Sequence, residues 1–249
     1  MKKLSTEKLP VGGYMKKFDL HIHTTCSRSR LLGCDAVSTP REVVKAAISK
    51  GLNGIAVTDH ETVRGGLLAL KIARKLNKDF HIIPGIEVKC RQGDIIGLGL
   101  ESNPKKDMSE LSAIEAVEVL RDMGALVVAP HPFGWGGVGK YLKTAGFDAV
   151  EGFNSNHLKC VNTRAKIAAY ELKLPMVAGS DAHYQVNVGN GIVVIDYNED
   201  TVDSALNAIR AGKVYICREK YTWNGLLVST LRMHTLMKTI IGKHPQCDE

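Results

Sequence analysis

Phe18-Asp19-Leu20-His21-Ile22-His23 is a short apolar run that ends in two imidazoles two positions apart. In extended backbone, residues i and i+2 point to the same face, so both rings of this pair are directed at one place. The same arrangement recurs down the chain. A second β-type run ends in Thr58-Asp59-His60, and a third carries Gly85-Ile86-Glu87. Val127-Val128-Ala129-Pro130 leads into His131-Pro132, and Glu151-Gly152-Phe153-Asn154 leads to His157. Met176–Gly179 runs into Ser180-Asp181-Ala182-His183, again an i, i+2 pair.

Working outward, β-type runs at 18–23, 54–58, 81–88, 94–100, 126–129, 149–153, 176–179 and 192–195 alternate with helical patterns at 40–50, 64–77, 108–123, 160–172 and 201–211. Thr39-Pro40-Arg41-Glu42 reads as a helix start, and Gly51 and Gly124 as helix stops. Alternation of this kind implies parallel strands joined by crossover helices, and the continuous apolar strands imply burial on both faces. A closed barrel and an open doubly wound sheet both fit the pattern. The position of the reactive residues separates them, because barrels carry their sites at the C-terminal rim of the strands.

Six of the nine histidines and two carboxylates fall at that rim. A single strand-end histidine is ordinarily a hydrogen-bonding side chain. Eight such groups in one topological place are the donor set of divalent metal ions, with neutral nitrogen suited to zinc, manganese or iron and carboxylate able to bridge two ions. His81 opens its strand and so belongs to the opposite end, while His234 and His244 lie in the terminal region. Arg28, Arg64 and Arg164 are candidate phosphate clamps, since guanidinium matches phosphate oxygens in pairs. Asp59 beside His60 and Asp19 before His21 read either as orienters of the imidazoles or as strand-end hydrogen-bond acceptors. The glycines of His131-Pro132-Phe133-Gly134-Trp135-Gly136-Gly137 suggest a mobile loop on the substrate side, and no P-loop follows them.

The motifs Asp19-Leu20-His21-Ile22-His23-Thr24, Thr58-Asp59-His60, Gly85-Ile86-Glu87, His131-Pro132 and Gly179-Ser180-Asp181-Ala182-His183, in that order, resemble the PHP (polymerase and histidinol phosphatase) family. The resemblance spans about residues 17–215. It implies a single-domain, distorted (β/α)7 TIM-like barrel, with residues 1–16 as an N-terminal extension and 216–249 as a C-terminal extension packed on it. It implies a metal-dependent phosphoesterase that hydrolyses a phosphate ester by a metal-activated water, with a small phosphomonoester or nucleotide as substrate. Two or three divalent ions are implied. His21, His23, Glu87 and Asp181 surround one, Glu87 bridges to a second held with His131 and His157, and His60 and His183 hold a third. Glu87, Asp181 and Asp59 are the carboxylates expected to serve catalysis. One departure stands out: many members have Asp or His six residues after the second histidine of the first motif, where this chain has Ser29. The third ion is then bound more weakly, completed by water, or served by Asp35 or Cys34 from the same loop.

Composition narrows the remaining classes. At 249 residues, 44% hydrophobic and 24% charged, the chain suits one large domain with a substantial core. No stretch approaches the roughly 20 apolar residues of a membrane span, and no apolar run follows the basic N-terminus, so a cytoplasmic protein without membrane contact is expected. The six cysteines form no CxxC pair and read as free thiols. A net charge of +7 favours anionic ligands such as phosphates or nucleic acid. Three alternatives therefore stand beside the phosphatase reading: a nuclease acting on nucleic-acid ends with the same metals, a non-catalytic PHP-like binding module, and a C–N-cleaving amidohydrolase. Glu87 on the third strand and the closing Asp-x-His favour phosphoester chemistry over the last. Oligomeric state is left open.

Overall fold

The computed structural model describes residues 13–28 and 33–222. Expectations resting on Ser29 and on the C-terminal segment beyond Thr222 lie outside them. Nine strands form one sheet: β1 (Tyr14–Asp19), β2 (Gly54–Val57), β3 (His81–Cys90), β4 (Gly93–Leu98), β5 (Leu126–Ala129), β6 (Ala149–Asn154), β7 (Met176–Gly179), β8 (Gly191–Tyr197) and β9 (Val214–Glu219). Five helices accompany them: α1 (Pro40–Ser49), α2 (Arg64–Leu76), α3 (Ala113–Asp122), α4 (Lys159–Leu172) and α5 (Val202–Arg210). The strand order is β7-β6-β5-β4-β3-β2-β1-β8-β9, and the sheet curls into the distorted barrel that the motifs imply.

The expectation of parallel strands throughout needs correction. β1, β2 and β3 are parallel neighbours, as are β5, β6 and β7, but β4 runs antiparallel between β3 and β5. Only Arg91 and Gln92 separate β3 from β4, too few for a crossover, so the chain makes a hairpin. β8 likewise returns antiparallel to β1, and β9 antiparallel to β8. The helix expected over 108–123 is shorter, because Ser112 and Glu115 form a reciprocal capping box that starts α3 at Ala113. An equivalent box between Thr39 and Glu42, with Pro40 in the first turn, starts α1 where the sequence places it.

Three apolar clusters fill the molecule. The barrel interior takes a side chain from every strand, among them Phe18, Ile83, Leu98, Val128, Phe153 and Val177, and α5 caps it with Ala205, Leu206, Ala208 and Ile209. α1 and α2 pack outside β2 and β3 through Val43, Val44, Ala69 and Ile72 against Ile55, Val57 and Ile82. α3 and α4 cover the other half, with Val117 and Leu120 against Ile95 and Val127, and Ala169 against Val150. Burial of aliphatic side chains on this scale, about 1.5–3 kcal/mol each, fixes the strands rigidly beneath the rim.

β1 ends four residues earlier than the apolar run suggests. Beyond Asp19 the chain keeps to the continuation of β2, Thr58 N–H donating to Ile22 O (2.8 Å), but exchanges β8 for the continuation of β7: Leu20 N–H donates to Ala178 O (3.4 Å), Asp181 N–H to His21 O (2.8 Å), and His23 N–H to Ala182 O (2.9 Å). An isolated parallel bridge, Ile22 with Ala182, marks the same seam. Buried Asp19 staples it, its carboxylate accepting N–H groups of Ser180 (2.9 Å), Gly189 (2.7 Å) and His21 (3.4 Å). Asp19 is thus a strand-end acceptor rather than a partner of an imidazole. Burial pushes its pKa up to about 6, which those donors partly offset. Asp19→Asn replaces one acceptor oxygen with an amide that faces backbone donors. Denaturant unfolding is expected to show a loss of about 1–3 kcal/mol, and an unchanged midpoint would show that the staple carries no weight.

Candidate metal centre

The seam sets the geometry of the site, because it lays the first and last motifs side by side. Gly179 makes that approach feasible: a Cβ there would lie 2.2 Å from the Cβ of His21 and 2.7 Å from Oε1 of Glu151. Asp181 and His131 take left-handed backbone angles, φ of 50° and 27°, at the points where their strands turn into loops. Such angles are unfavourable for residues with a side chain and persist only where surrounding contacts enforce them. Here Asp181 N–H is held by His21 O, and His131 N–H donates to Glu151 Oε2 at 2.8 Å.

Glu87 lies at the middle. Its Oε2 is 3.2 Å from Nε2 of both His21 and His23 and 3.4 Å from Nδ1 of His60, and its Oε1 is 3.2 Å from Nε2 of His131. Asp181 Oδ1 approaches Nε2 of His23 at 3.3 Å and Nε2 of His21 at 3.6 Å. Four groups have donor atoms close enough to share an ion: His21-His23-Asp181, His21-Glu87-His131, His131-His157-Asp181, and His23-His60-His183. The eight residues expected as metal ligands, His21, His23, His60, Glu87, His131, His157, Asp181 and His183, are therefore all gathered at one rim. Donor separations of 3.2–3.6 Å match the edge of a tetrahedron, about 3.3 Å, around an ion with bonds of about 2.0–2.2 Å.

The loop after the first motif adds a ligand candidate. Buried Asp35 places Oδ2 3.3 Å from His60 Nε2 and 3.6 Å from His183 Nε2. Its Oδ1 is buried with no hydrogen-bond partner among the described residues. Cys34 is turned to backbone carbonyls instead. Its Sγ–H donates to Thr25 O (3.3 Å) and Ala36 O (3.1 Å), and burial pushes the thiol up to about 11. Of the two groups the sequence offers in place of Ser29, the structure brings the carboxylate to the imidazoles. Among the described residues Cys34, Cys90, Cys160 and Cys217 are free thiols.

The electrostatics fit a cation. Burial alone would raise the carboxylates, but His21 and His60 hold Glu87 well below its ordinary value, as His21 and His23 do Asp181 and His183 and His60 do Asp35. Burial would lower His60, yet Glu87 and Asp35 lift it to about 10. His21 and His131 are raised in the same way, chiefly by Glu151 and Glu87 respectively. His23 and His157 go down, through burial and the neighbouring imidazole. Ionised carboxylates that charge the imidazoles around them form a locus of negative potential that divalent ions satisfy by displacing protons.

Other predicted residues lie elsewhere. Asp59 does not face His60. Its carboxylate accepts N–H (2.5 Å) and O–H (2.8 Å) from Thr24, clamping the loop after the first motif, and burial pushes it up to about 7. Arg28 is exposed beside His60, whose carbonyl accepts its N–H at 2.9 Å. Arg64 lines a hollow of about 380 Å³ outside α2 that includes none of the imidazoles. Arg164 lays its guanidinium 4.2 Å from the ring centre of Phe133 on the β5 side of the rim.

Two groups were not singled out from the sequence. Glu151 Oε1 lies 3.0 Å from His21 Nδ1, and its Oε2 accepts from Asn154 Nδ2 at 2.9 Å. Asn154 also donates to Asp181 Oδ2 at 3.3 Å, tying β6 to β7 behind the ligands. The available signal was an acid inside a wholly buried strand, Ala-Val-Glu-Gly-Phe-Asn. Asp94 of β4 is the second. Burial and nearby Glu87 push it up to about 6.

A family model described as PHP-associated matches residues 161–214. An uncharacterized protein of Methanocaldococcus jannaschii is 37% identical over 149 residues, covering 57% of this chain and 83% of that protein. A 5′-3′ exoribonuclease of Haemophilus influenzae is 27% identical over 184 residues, covering 71% of this chain and 58% of its own length. Among solved structures, a two-domain protein from Bacteroides vulgatus containing a predicted PHP-like metal-dependent phosphoesterase superposes with a TM-score of 0.68. It is 19% identical, and the match covers 88% of this chain and 70% of that one, a likeness of fold. Among the described residues no helix is long and apolar enough to cross a membrane.

Two measurements test the centre. Because the surrounding carboxylates lift His60 to about 10 and raise His21 and His131 above the ordinary histidine value, calorimetric metal titration at pH 7 in buffers of different ionisation enthalpy should reveal proton release on binding, with affinity rising with pH. Zero release would refute the electrostatic reading. Asp35→Ala should lower the bound-metal stoichiometry by one ion, while Cys34→Ala leaves it unchanged.

Proposed function

The chain belongs to the PHP family, and from that premise we propose that it is a metal-dependent phosphoesterase that hydrolyses a small phosphomonoester or a nucleotide. The observation that carries this reading is the position of Glu87, which directs one oxygen at the His21–His23 pair and the other at His131. A carboxylate so placed is the natural bridge between two ions. We assign His21, His23, Glu87 and Asp181 to one ion and Glu87, His131 and His157 to a second. His60 and His183 belong to a third, completed by Asp35 in the role the family gives to the position of Ser29. Zinc, manganese and iron all suit this nitrogen-rich set. Bound there, such ions supply Lewis acidity, lowering the pKa of water and neutralising charge on a phosphoryl group.

The protein's own contribution is orientation. Glu151 accepts from Nδ1–H of His21, which fixes the ring so that Nε2 is the atom that would face an ion beside Glu87 and Asp181. Through its second oxygen Glu151 also fixes the backbone of His131, so one buried acid aligns ligands from β1 and β5. Asp59 is best read as a positioning residue, because it locks Thr24 one position after His23. Arg28 and Arg164, exposed at the rim, are the arginines placed to meet a substrate phosphate.

A second reading, cleavage at a nucleic-acid end by the same centre, draws on the exoribonuclease relative and on the net charge of +7. A panel of phosphomonoesters, nucleotides and 5′-phosphorylated oligonucleotides assayed with metal-loaded protein separates the two. Hydrolysis of oligonucleotide ends without free nucleotides would favour the nuclease, and turnover of an amide substrate alone would move the assignment to C–N chemistry. Glu87→Ala should cost at least about a thousandfold in turnover, since it removes several kcal/mol of charge organisation. His131→Ala should cost less, and Glu151→Gln about 10- to 100-fold. Phosphate release that survives both Glu87→Ala and His131→Ala would overturn the assignment.

A further inference from the structure

Trp135 is 89% exposed, on the loop that follows β5. Isolated apolar side chains on a surface need no explanation, but this one is held in an unusual way. Backbone hydrogen bonds brace the loop in this structure. Gly134 N–H donates to His131 O (2.7 Å), Gly137 N–H to Gly134 O (3.1 Å), and Gly139 N–H to Pro132 O (2.8 Å), while Gly136 O accepts from Asp94 N–H of β4 (2.7 Å). Both neighbours of Trp135 abut the metal centre. The space beside Gly134 is filled by the His157 ring, 2.4 Å from where a Cβ would stand. Beside Gly136 the Asp94 carboxylate takes that place, with His131 Cε1 3.7 Å away. A hydrogen-bonded turn therefore holds an uncovered indole between two glycines that abut groups lining the site. Two residues earlier, Phe133 carries the guanidinium of Arg164 on its face. An open aromatic surface and an anchored cation thus share the β5–β6 side of the rim.

We propose that Trp135 is a stacking platform for the base of a nucleotide whose phosphate lies over the metal centre, with Arg164 beside it to meet phosphate charge. The substrate class is then a nucleobase-bearing phosphate ester. Aromatic side chains receive bases of any identity through their π faces, and guanidinium groups complement the backbone. A sugar phosphate without a base leaves the indole in water, so the platform discriminates by the base and not by the phosphate. The inference rests on the phosphoesterase reading for the position of the phosphate. The nucleobase itself comes either from a free nucleotide or from the terminal nucleotide of a chain.

The sequence holds two tryptophans, so a Trp223→Phe background leaves Trp135 as the sole indole. In metal-loaded protein on that background, adenosine 5′-monophosphate or a 5′-phosphorylated dinucleotide should quench its fluorescence, and ribose 5-phosphate should not. Quenching by the dinucleotide alone identifies a chain end as the source, and quenching by both a free nucleotide. In steady-state assays, Trp135→Ala should reduce the preference in kcat/KM for the nucleotide over ribose 5-phosphate by about 5- to 100-fold, mainly through KM, with Trp135→Phe restoring most of it. Equal quenching by ribose 5-phosphate, or an unchanged preference in Trp135→Ala, overturns the platform. The two readings fail separately. Phosphate release without base-dependent quenching removes the platform alone, whereas base-dependent quenching without phosphate release removes the phosphoesterase alone.

Discussion

Three backbone hydrogen bonds between the chain leaving β1 and the chain leaving β7 hold the barrel shut at its upper end, and the rest of the site depends on them. Had β1 continued along its ladder with β8, His21 and His23 would have stayed in register with that strand; on its other edge the chain keeps to the continuation of β2, Thr58 N–H donating to Ile22 O at 2.8 Å. Peeling away at Asp19 carries both imidazoles across to Asp181 and His183, residues about 160 positions distant in sequence. The staple by Asp19 is costly in solvation, since its carboxylate is fully buried, and three backbone donors offset that cost locally. A hydrophobic contact in its place would close the barrel but could not fix which carbonyl meets which N–H.

Closure at this point also explains the concentration of charge. Glu87, Asp181, Asp35 and Glu151 are all buried, within a rim that also holds six imidazoles. Without compensation a group of acids so close would protonate, yet Glu87, Asp181 and Asp35 are held well below their ordinary values. Protonated imidazoles supply the compensation when ions do not, which makes proton and metal interchangeable occupants of one electrostatic well. Asp94 is the exception. It receives less relief from the imidazoles and rises to about 6, and it stands on β4, which runs antiparallel to β3 and β5.

Much of this was legible in the sequence, for a simple reason. A ligand at a strand end leaves a local signature: an apolar run, then a histidine or acid, often with a partner two residues on. His21, His23, His60, Glu87, His131, Asp181 and His183 carry that signature. Asp35 does not, because it sits in a loop twelve residues past His23 and reaches the site only by the path of that loop. Asp59 carries the signature and yet faces Thr24, since backbone geometry rather than residue type decides which way a side chain turns at a strand end. The hairpin at β4 escapes the alternating β-then-α rule because its two-residue connection is too short for a crossover, whereas β9 follows helix α5 and still returns antiparallel to β8. Glu151 was visible as an acid in an apolar strand, but its two-sided role needs the distances.

The rim divides into two halves with different properties. On the β1, β2 and β7 side, Asp35, His60 and His183 lie under the loop that Asp59 and Thr24 pin down. On the β5 and β6 side, His131 and His157 meet a turn whose outermost residue is an uncovered tryptophan, with Arg164 beside it on Phe133. The organic part of a phosphate ester held at this centre would leave the rim by one half or the other. The first half offers a clamped loop, and the second an aromatic face and a cation on a braced turn. On the proposed reading, the direction in which the organic part of the ester extends would be set by these loops and not by the metal ligands below. One barrel rim can keep its chemistry fixed and still change substrate by altering a single βα turn.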